Sequence, residues 1–238
     1  MKVCIVLNGE IKNYQKTKEI ILKEKYDYII GADGGCNHLY KMNIIPNYII
    51  GDLDSINEEL ISYYKNKNVI FEKYPTHKDE TDSEICIYLA KKLNATKVDF
   101  IGALGGRIDH TLANIGLMNY VKNMDINPRI LTSEEEILIV KNEKITLKGN
   151  KGDTVSFISI VGDSKGVTLE DMEYPLNNAR VSYLSPLGIS NVMLEDECEI
   201  TVEDGYLLVI RNLKSSLETV TKDRDWVIEK YNQKEKEK

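Results

Sequence analysis

Carboxylates recur beside glycines and hydroxyl groups in four short segments of this chain. The segments are GADGG (Gly31–Gly35), GDLDS (Gly51–Ser55), KDETD (Lys78–Asp82) and GGRIDH (Gly105–His110). Carboxylate oxygens without histidine or cysteine partners suit Mg2+ or Ca2+ rather than zinc. Glycine turns that open helices offer backbone N–H groups to phosphates. The combination therefore predicts a site for a nucleotide and magnesium.

The aspartates of these segments also set an electrostatic condition. They are Asp33, Asp52, Asp54, Asp79, Asp82 and Asp109. If they converge on one rim, their mutual repulsion destabilises the fold, and a bound divalent cation would offset it. Mg2+ usually takes one or two carboxylates and keeps positions for water and substrate phosphates. Lys73, Lys78 and Arg107 are candidates to neutralise phosphate charge.

Each segment also has a simpler interpretation. Asp52 and Asp54 could begin an EF-hand loop, but the required glycine and terminal glutamate are absent. They could equally cap a helix over residues 57–64. The KDETD segment alone is typical of a solvated helix start, and the chain has no GxxxxGK[ST] motif of a P-loop enzyme. We predict surface positions for two histidines, His38 and His77.

The elements that must position these residues can be read from the apolar pattern of the first half. Short apolar runs that read as buried strands lie at Val3–Leu7, Tyr28–Ile30, Tyr48–Ile50, Val69–Phe71 and Val98–Ile101. Segments with helical spacing separate them, which indicates a parallel sheet covered on both faces. Residues 1–132 are therefore predicted to form a doubly wound α/β domain. Each polar segment follows a strand, and ligands of such sheets bind at the carboxyl ends of the strands.

The pattern changes near residues 133–136. Short apolar runs then recur between glycine turns, at Ile137–Val140, Ile145–Leu147, Val155–Val161, Val167–Leu169, Val192–Leu194, Glu199–Val202 and Tyr206–Ile210. Many short strands with glycine turns predict a small antiparallel β-sandwich over residues 137–212. Residues 213–238 are interpreted as a charged tail that can form a short helix through Trp226.

Composition narrows the class of protein. The 238 residues carry a net charge of -7, which argues against a nucleic-acid binder. Four cysteines stand singly, so neither a zinc ribbon nor a disulfide framework is indicated; they are Cys4, Cys36, Cys86 and Cys198. No apolar run approaches the roughly 20 residues of a membrane span. We therefore expect no membrane partner and a cytoplasmic location.

The four polar segments, taken in order, resemble those of bacterial thiamine pyrophosphokinases. The last of them extends to GGRIDHTLAN (Gly105–Asn114), and Leu187–Asn191 is similar to the GLSNE segment on the thiamine side of that family. The resemblance covers residues 1–212 and leaves the charged tail outside it. It implies an α/β catalytic domain joined to a β-sandwich. It also implies a homodimer, with thiamine between the α/β domain of one subunit and the sandwich of its partner.

The resemblance assigns roles to individual residues. Asp52, Asp54 and Asp82 look like the Mg2+ carboxylates, with Asp33 close by. The residues that look like ATP contacts are Asp79, Thr81, Arg107, Asp109 and His110. His110 could instead only cap or line its helix. Ser190 and Asn191 look like thiamine contacts.

Two departures from the family pattern bear on the thiamine side. Val192 stands where the family often has glutamate, so one polar contact is missing from the pattern. The sole tryptophan, Trp226, lies in the tail, so the side chain that stacks on the thiamine ring is not identified.

The implied reaction moves a diphosphate group from ATP to the thiamine hydroxyl and releases AMP. Mg2+ would stabilise the charge that develops, and Arg107 would hold phosphate in a fork. Asp33 or Asp82 would accept the hydroxyl proton, and the sequence does not choose between them. Three alternatives stay open: a pyrophosphokinase acting on another alcohol such as a hydroxymethylpterin, a non-catalytic nucleotide or thiamine sensor, and an Mg2+-dependent phosphohydrolase.

Overall fold

The first half of the chain folds into a parallel sheet covered by helices. The computed structural model describes residues 1–53, 56, 58–73 and 81–213. The parallel strands are β1 (Lys2–Val6), β2 (Tyr28–Ala32), β3 (Tyr48–Gly51), β4 (Ile70–Lys73), β5 (Lys97–Ile101) and β6 (Asn127–Leu131). The helices are α1 (Tyr14–Glu24), α2 (Gly35–Lys41), α3 (Glu58–Lys65), α4 (Asp82–Lys92) and α5 (Ile108–Lys122). Spatial order is β4-β3-β2-β1-β5-β6, so the direction of strand addition reverses at β1.

The sheet is apolar on both faces because helices cover both. Val3 and Ile5 pack with residues of α4 and α5 on one face. Cys4 and Val6 alternate with them and pack with residues of α1 and α2 on the other. All of these side chains are fully buried, which explains the continuous apolar run at β1.

The second half continues the same sheet and adds another. Its strands are β7 (Glu135–Lys141), β8 (Lys144–Lys148), β9 (Thr154–Ser159), β10 (Ser164–Glu170), β11 (Leu176–Val181), β12 (Gly188–Val192), β13 (Glu197–Thr201) and β14 (Tyr206–Asn212). Strands β7, β14, β9 and β12 extend the parallel sheet to ten strands, because β7 pairs antiparallel with β6. The other four form a second antiparallel sheet in the order β11-β10-β13-β8. Buried residues from both sheets share one core, including Phe157 and Ile200.

The predicted fold class is confirmed, with differences in the positions of some strands. Strand β6 was not predicted because it contains Pro128, and β11 was not predicted because most of its side chains are not buried. The strand expected at Val192–Leu194 lies earlier, at Gly188–Val192. The ranges 1–132 and 137–212 stay a prediction, and hydrogen bonds between β6 and β7 cross the expected boundary.

Two further expectations concern the tail and the cysteines. Residues 214–238, including Trp226, lie outside the described residues. The four cysteines are buried free thiols. Among the described residues, no helix is long and apolar enough to cross a membrane.

Candidate functional site

The loops that follow β1 and β5 run side by side at the point where the strand order reverses. The backbone N–H groups of Leu7, Gly9 and Glu10 donate to carbonyl oxygens in the last residue of β5 and in the turn after it, at 2.8, 2.7 and 2.7 Å. A Cβ atom on Gly9 would lie 2.4 Å from the carbonyl oxygen of Gly102, so only glycine permits this approach. The carboxyl ends of β1 and β5, with those of the neighbouring strands β2 and β3, thus form a rim at the switch point where ligands of such sheets bind.

Asp33 lies on this rim with an unsatisfied carboxylate oxygen. It has a left-handed backbone with φ of 42°, and its N–H donates to the carbonyl oxygen of Ile50 at 2.7 Å. Its Oδ1 atom is buried and has no hydrogen-bond partner among the described residues. A Cβ atom on Gly51 would lie 3.0 Å from the Asp33 Cβ, so Asp33 packs directly against the turn that leads into Asp52. A buried anionic oxygen without a partner is costly, and a cation or a phosphate-bound metal would relieve that cost.

The rest of the expected metal set is only partly described. Asp54 and Asp79 lie outside the described residues, as do Ser55, His77, Lys78 and the side chain of Lys73. Asp82 is half-buried in the first turn of α4. Within the described residues, no three His, Cys, Asp or Glu side chains stand close enough together to hold a metal ion. The magnesium assignment to Asp52, Asp54 and Asp82 therefore stays a prediction.

Thr81 begins helix α4 with a capping box. Its hydroxyl oxygen accepts from the N–H of Glu84 at 3.3 Å, and its own N–H donates to Glu84 Oε2 at 2.8 Å. This reciprocal pair satisfies two N–H groups at the helix start. Thr81 therefore has a structural role, and its expected contact with ATP stays a prediction.

Arg107 and Asp109 form a forked ion pair at the start of α5. Arg107 Nε donates to Asp109 Oδ1 at 3.1 Å, and Nη2 donates to Oδ2 at 2.5 Å. The hydrogen bond from Arg107 lowers the pKa of Asp109. Asp109 Oδ1 also accepts from the N–H of His110, and all three side chains are exposed. The pair therefore presents an oriented guanidinium to solvent beside the turn after β5.

His38 is not the surface residue that was predicted. It is half-buried on α2, where Nε2 donates to the carbonyl oxygen of Gly9 and Nδ1 accepts from the Tyr14 hydroxyl, both at 2.8 Å. Burial lowers the pKa of His38. The neutral ring thus ties α2 to the loop after β1. Its partners are distant in sequence, so no local pattern announces this role.

A cavity of about 160 Å3 opens on the same rim, on the side of α1. Its lining comes from the loop after β1, the turn after β5 and the hairpin between β6 and β7, including Glu10, Leu104 and Ser133. Lys12 and Glu134 form an ion pair at 3.1 Å among its lining residues. Sequence reasoning missed these residues because they belong to no motif. Their only signal was their position directly after a strand.

The expected thiamine residues lie on β12, at the far edge of the ten-stranded sheet. Ser190 is exposed, and its N–H donates to the hydroxyl of Ser156 at 3.1 Å. Asn191 is buried, and its amide bonds both the N–H and the carbonyl oxygen of Tyr174, at 2.9 and 2.8 Å. Asn191 thus holds the local structure, whereas Ser190 and its neighbour Ile189 face solvent.

Comparison with known proteins identifies relatives over most of the chain. Residues 21–130 match the family model for the catalytic domain of thiamin pyrophosphokinase, and residues 136–207 match the model for its vitamin B1 binding domain. The thiamine pyrophosphokinase of Bacillus subtilis is 29% identical over 184 residues, which cover 77% of this chain and 86% of that protein.

Solved structures agree with the sequence comparison. The crystal structure of the Bacillus subtilis thiamine pyrophosphokinase superposes with a TM-score of 0.79 at 27% identity, covering 90% of this chain and all of that one. The thiamin pyrophosphokinase of Geobacillus thermodenitrificans gives a TM-score of 0.77 at 26% identity, covering 92% of this chain and all of that one.

Proposed function

Since the chain belongs to the thiamine pyrophosphokinase family, we propose that its rim binds ATP and magnesium while its strand β12 binds thiamine. The enzymes of this family transfer the diphosphate group of ATP to the thiamine hydroxyl, giving thiamine diphosphate and AMP. The rim comprises the ends of β1, β2, β3 and β5 with the turns that follow them.

The buried Oδ1 atom of Asp33 carries the proposal for the rim. It is a buried carboxylate oxygen without a partner among the described residues, and Asp33 lies against Gly51, which leads to Asp52. These oxygen donors fit Mg2+, which Asp52, Asp54 and Asp82 would hold with Asp33 nearby. When bound, the metal supplies charge stabilisation at the phosphate oxygens.

Arg107 would orient the phosphates of ATP. Its fork holds Asp109 through Nε and Nη2, which leaves the Nη1 side to contact a phosphate oxygen. Because the pair is already formed, the guanidinium needs little reorganisation when ATP binds. We assign further ATP contacts to Asp79, Thr81 and His110.

The transfer itself requires positioning and one proton acceptor. The thiamine hydroxyl oxygen forms a bond to the β-phosphorus of ATP. The bond from that phosphorus to the oxygen bridging the α- and β-phosphates breaks, and AMP leaves with this oxygen. Asp33 or Asp82 accepts the hydroxyl proton.

We propose that the site is shared between two copies of the chain. Seven strand-to-strand steps separate β12 from β2 in the sheet, which corresponds to roughly 30 Å at a spacing of about 4.8 Å. That distance is far beyond the reach of thiamine. Exposed apolar side chains on both parts support a homodimer. Four of them are at least half exposed: Leu187 just before β12, Ile189 on β12, and Ile108 and Leu112 on α5.

The direct test is product analysis with purified full-length protein, ATP and magnesium. We expect AMP release that depends on thiamine, with thiamine diphosphate formed in equal amount. Production of ADP would contradict the proposal. AMP or phosphate released at the same rate without thiamine would indicate a hydrolase instead, and a pterin alcohol that replaces thiamine as the better acceptor would move the specificity to that substrate.

A further inference from the structure

Five charged residues of alternating sign form a buried row across the junction between the two halves. We name it the junction ion row: Asp99 on β5, Arg129 on β6, Glu136 on β7, Arg211 on β14 and Asp153 just before β9. Arg129 donates to both carboxylate oxygens of Asp99, at 2.9 and 2.7 Å. Its Nη1 donates to Glu136 Oε1 at 2.7 Å. One guanidinium thus joins three neighbouring strands.

Arg211 continues the row into the sandwich. Its Nε and Nη2 donate to Glu136 Oε2 at 3.1 and 2.6 Å, and its Nη1 donates to Asp153 Oδ2 at 3.0 Å. Glu136 therefore receives a different arginine on each oxygen. Although burial raises the pKa of Glu136, the hydrogen bonds from Arg129 and Arg211 outweigh it and lower the pKa overall. The carboxylate is accordingly charged at neutral pH.

The row lies on the part of the ten-stranded sheet between two layers that cover it. On the face where it lies, α1 and α2 cover Ile101 and Leu131 at one end, and the second sheet covers Val140 and Val209 at the other. Its carboxylate side chains are at most 10% exposed. Each arginine side chain is 13% exposed. Removing such charges from water is costly, and well-packed apolar residues are often at least as stable in their place. The forked ion pairs instead contribute a defined orientation of the strands, because each guanidinium fixes its partners in one geometry.

The last member of the row is attached to β12. The carbonyl oxygen of Asp153 accepts from the N–H of Met193 at 3.0 Å, just past the end of β12. The next residues pair with the strand itself, Thr154 with Val192 and Val155 with Asn191. Asp153 Oδ2 also accepts from the N–H of Asn150 at 3.0 Å. Asp153 therefore connects the contacts of Arg211 to the strand that carries Ser190.

We propose that Arg211 is a positioning residue for thiamine, because it holds Asp153 and thereby fixes β12 relative to the α/β half of the same chain. The inference rests on the proposed function, in which β12 carries the thiamine contacts and the rim carries those of ATP. Arg211 itself touches neither substrate in this account. Its loss is expected to raise the KM for thiamine and to leave the KM for ATP nearly unchanged.

The first test is steady-state kinetics of Arg211→Met in the full chain, with thiamine and ATP varied separately. We expect the KM for thiamine to rise about tenfold while kcat and the KM for ATP stay within about twofold. Arg211→Lys should recover part of the loss, because a lysine places a point charge between the two carboxylates without the fork. Lys148→Met is the matched control, since Lys148 pairs with Glu197 at the surface of the second sheet.

A milder variant covers the case in which Arg211→Met does not fold. Asp153→Asn keeps an acceptor for the Asn150 N–H but removes the charge that Arg211 holds, and we expect a severalfold rise in the thiamine KM. An unchanged thiamine KM in folded Asp153→Asn would overturn the positioning role. So would a fall in apparent kcat with both KM values unchanged, which would reflect only a smaller folded fraction.

Hydrogen exchange separates this inference from the proposed function, because it needs no turnover. In Asp153→Asn we expect the Met193 amide to exchange about tenfold faster, while the amides of α4 keep their wild-type rates. Unchanged exchange at Met193 would contradict the inference whatever the enzyme does. A wild-type protein that makes no thiamine diphosphate would instead contradict the proposed function.

Discussion

The rim of the α/β half and strand β12 of the sandwich differ in how their polar groups are satisfied. On the rim, Asp33 keeps a buried carboxylate oxygen without a partner among the described residues. On β12, the amide of Asn191 is bonded at both ends to Tyr174, and the neighbouring exposed side chains are largely apolar, as at Leu187 and Ile189. The rim therefore suits a charged, polar ligand. The exposed apolar side chains at strand β12 suit an apolar contact with another surface.

This difference shows why one half is easier to interpret than the other. The rim gathers its side chains at the ends of adjacent parallel strands, so a single chain suffices to assemble it. Strand β12 forms one edge of the ten-stranded sheet, five strand positions from β5, the nearest strand of the rim. If β12 carries the thiamine contacts, as proposed, its contribution to the reaction depends on a second copy.

The largest effect is expected at the rim, from Asp52→Asn. Losing one proposed carboxylate ligand of magnesium should lower kcat/KM roughly a thousandfold, or about 4 kcal/mol. Because Asp52 follows the end of β3 and lies outside the helices and strands, thermal unfolding should change little. The matched control is Asp125→Asn, an exposed aspartate in the turn after α5, which should retain wild-type activity. Full activity of Asp52→Asn would contradict the assignment of Asp52 as a magnesium ligand and of the rim as the magnesium site.

A strong but selective effect is expected on β12, from Ser190→Arg. The side chain is exposed, so the substitution should be tolerated by the fold, but its bulk and positive charge should exclude the thiazolium cation of thiamine. We expect the thiamine KM to rise about a hundredfold with ATP binding preserved. Nucleotide binding measured by calorimetry provides the second half of this prediction. Equal losses of affinity for thiamine and for ATP would argue against separate binding regions for the two substrates.

Asn191→Ala should act on stability instead. The substitution removes the side-chain hydrogen bonds to both backbone groups of Tyr174 and so should cost about 2 kcal/mol of unfolding free energy. Urea denaturation of this variant and of Ser190→Ala gives the comparison, since Ser190→Ala should unfold like the wild type. A stable Asn191→Ala that binds thiamine poorly would return Asn191 to the list of direct contacts.

The smallest effect is a pH dependence that arises at the rim from His38. Burial lowers the pKa of His38 in the folded state. As pH falls below the ordinary histidine value of about 6.5, the unfolded chain takes up a proton that the folded chain resists, so stability falls. His38→Gln should reduce this loss between pH 7.5 and 5.5 in urea unfolding.

The sequence predicted the parallel strands and the rim because both depend on local patterns. Apolar runs such as Val3–Leu7 and the glycine-rich turns after them lie within a few residues of one another. Strand β6 was missed because Pro128 argues against a central strand, although its ring is buried opposite Val98. The junction ion row could not be predicted, since Asp99 and Arg129 meet only through the register of β5 and β6. His38 was placed wrongly for a similar reason, because its partners Gly9 and Tyr14 are 29 and 24 residues away.

Subunit mixing tests most directly whether the rim of one copy works with β12 of another. Asp52→Asn and Ser190→Arg proteins are each assayed alone, then unfolded together in equal amounts, refolded and assayed again. Random pairing makes half of the dimers mixed, and each mixed dimer has one intact site of two, so about a quarter of wild-type activity should return. Activity that stays at the level of the separate variants, in a refolded mixture shown to contain mixed dimers, would contradict the account.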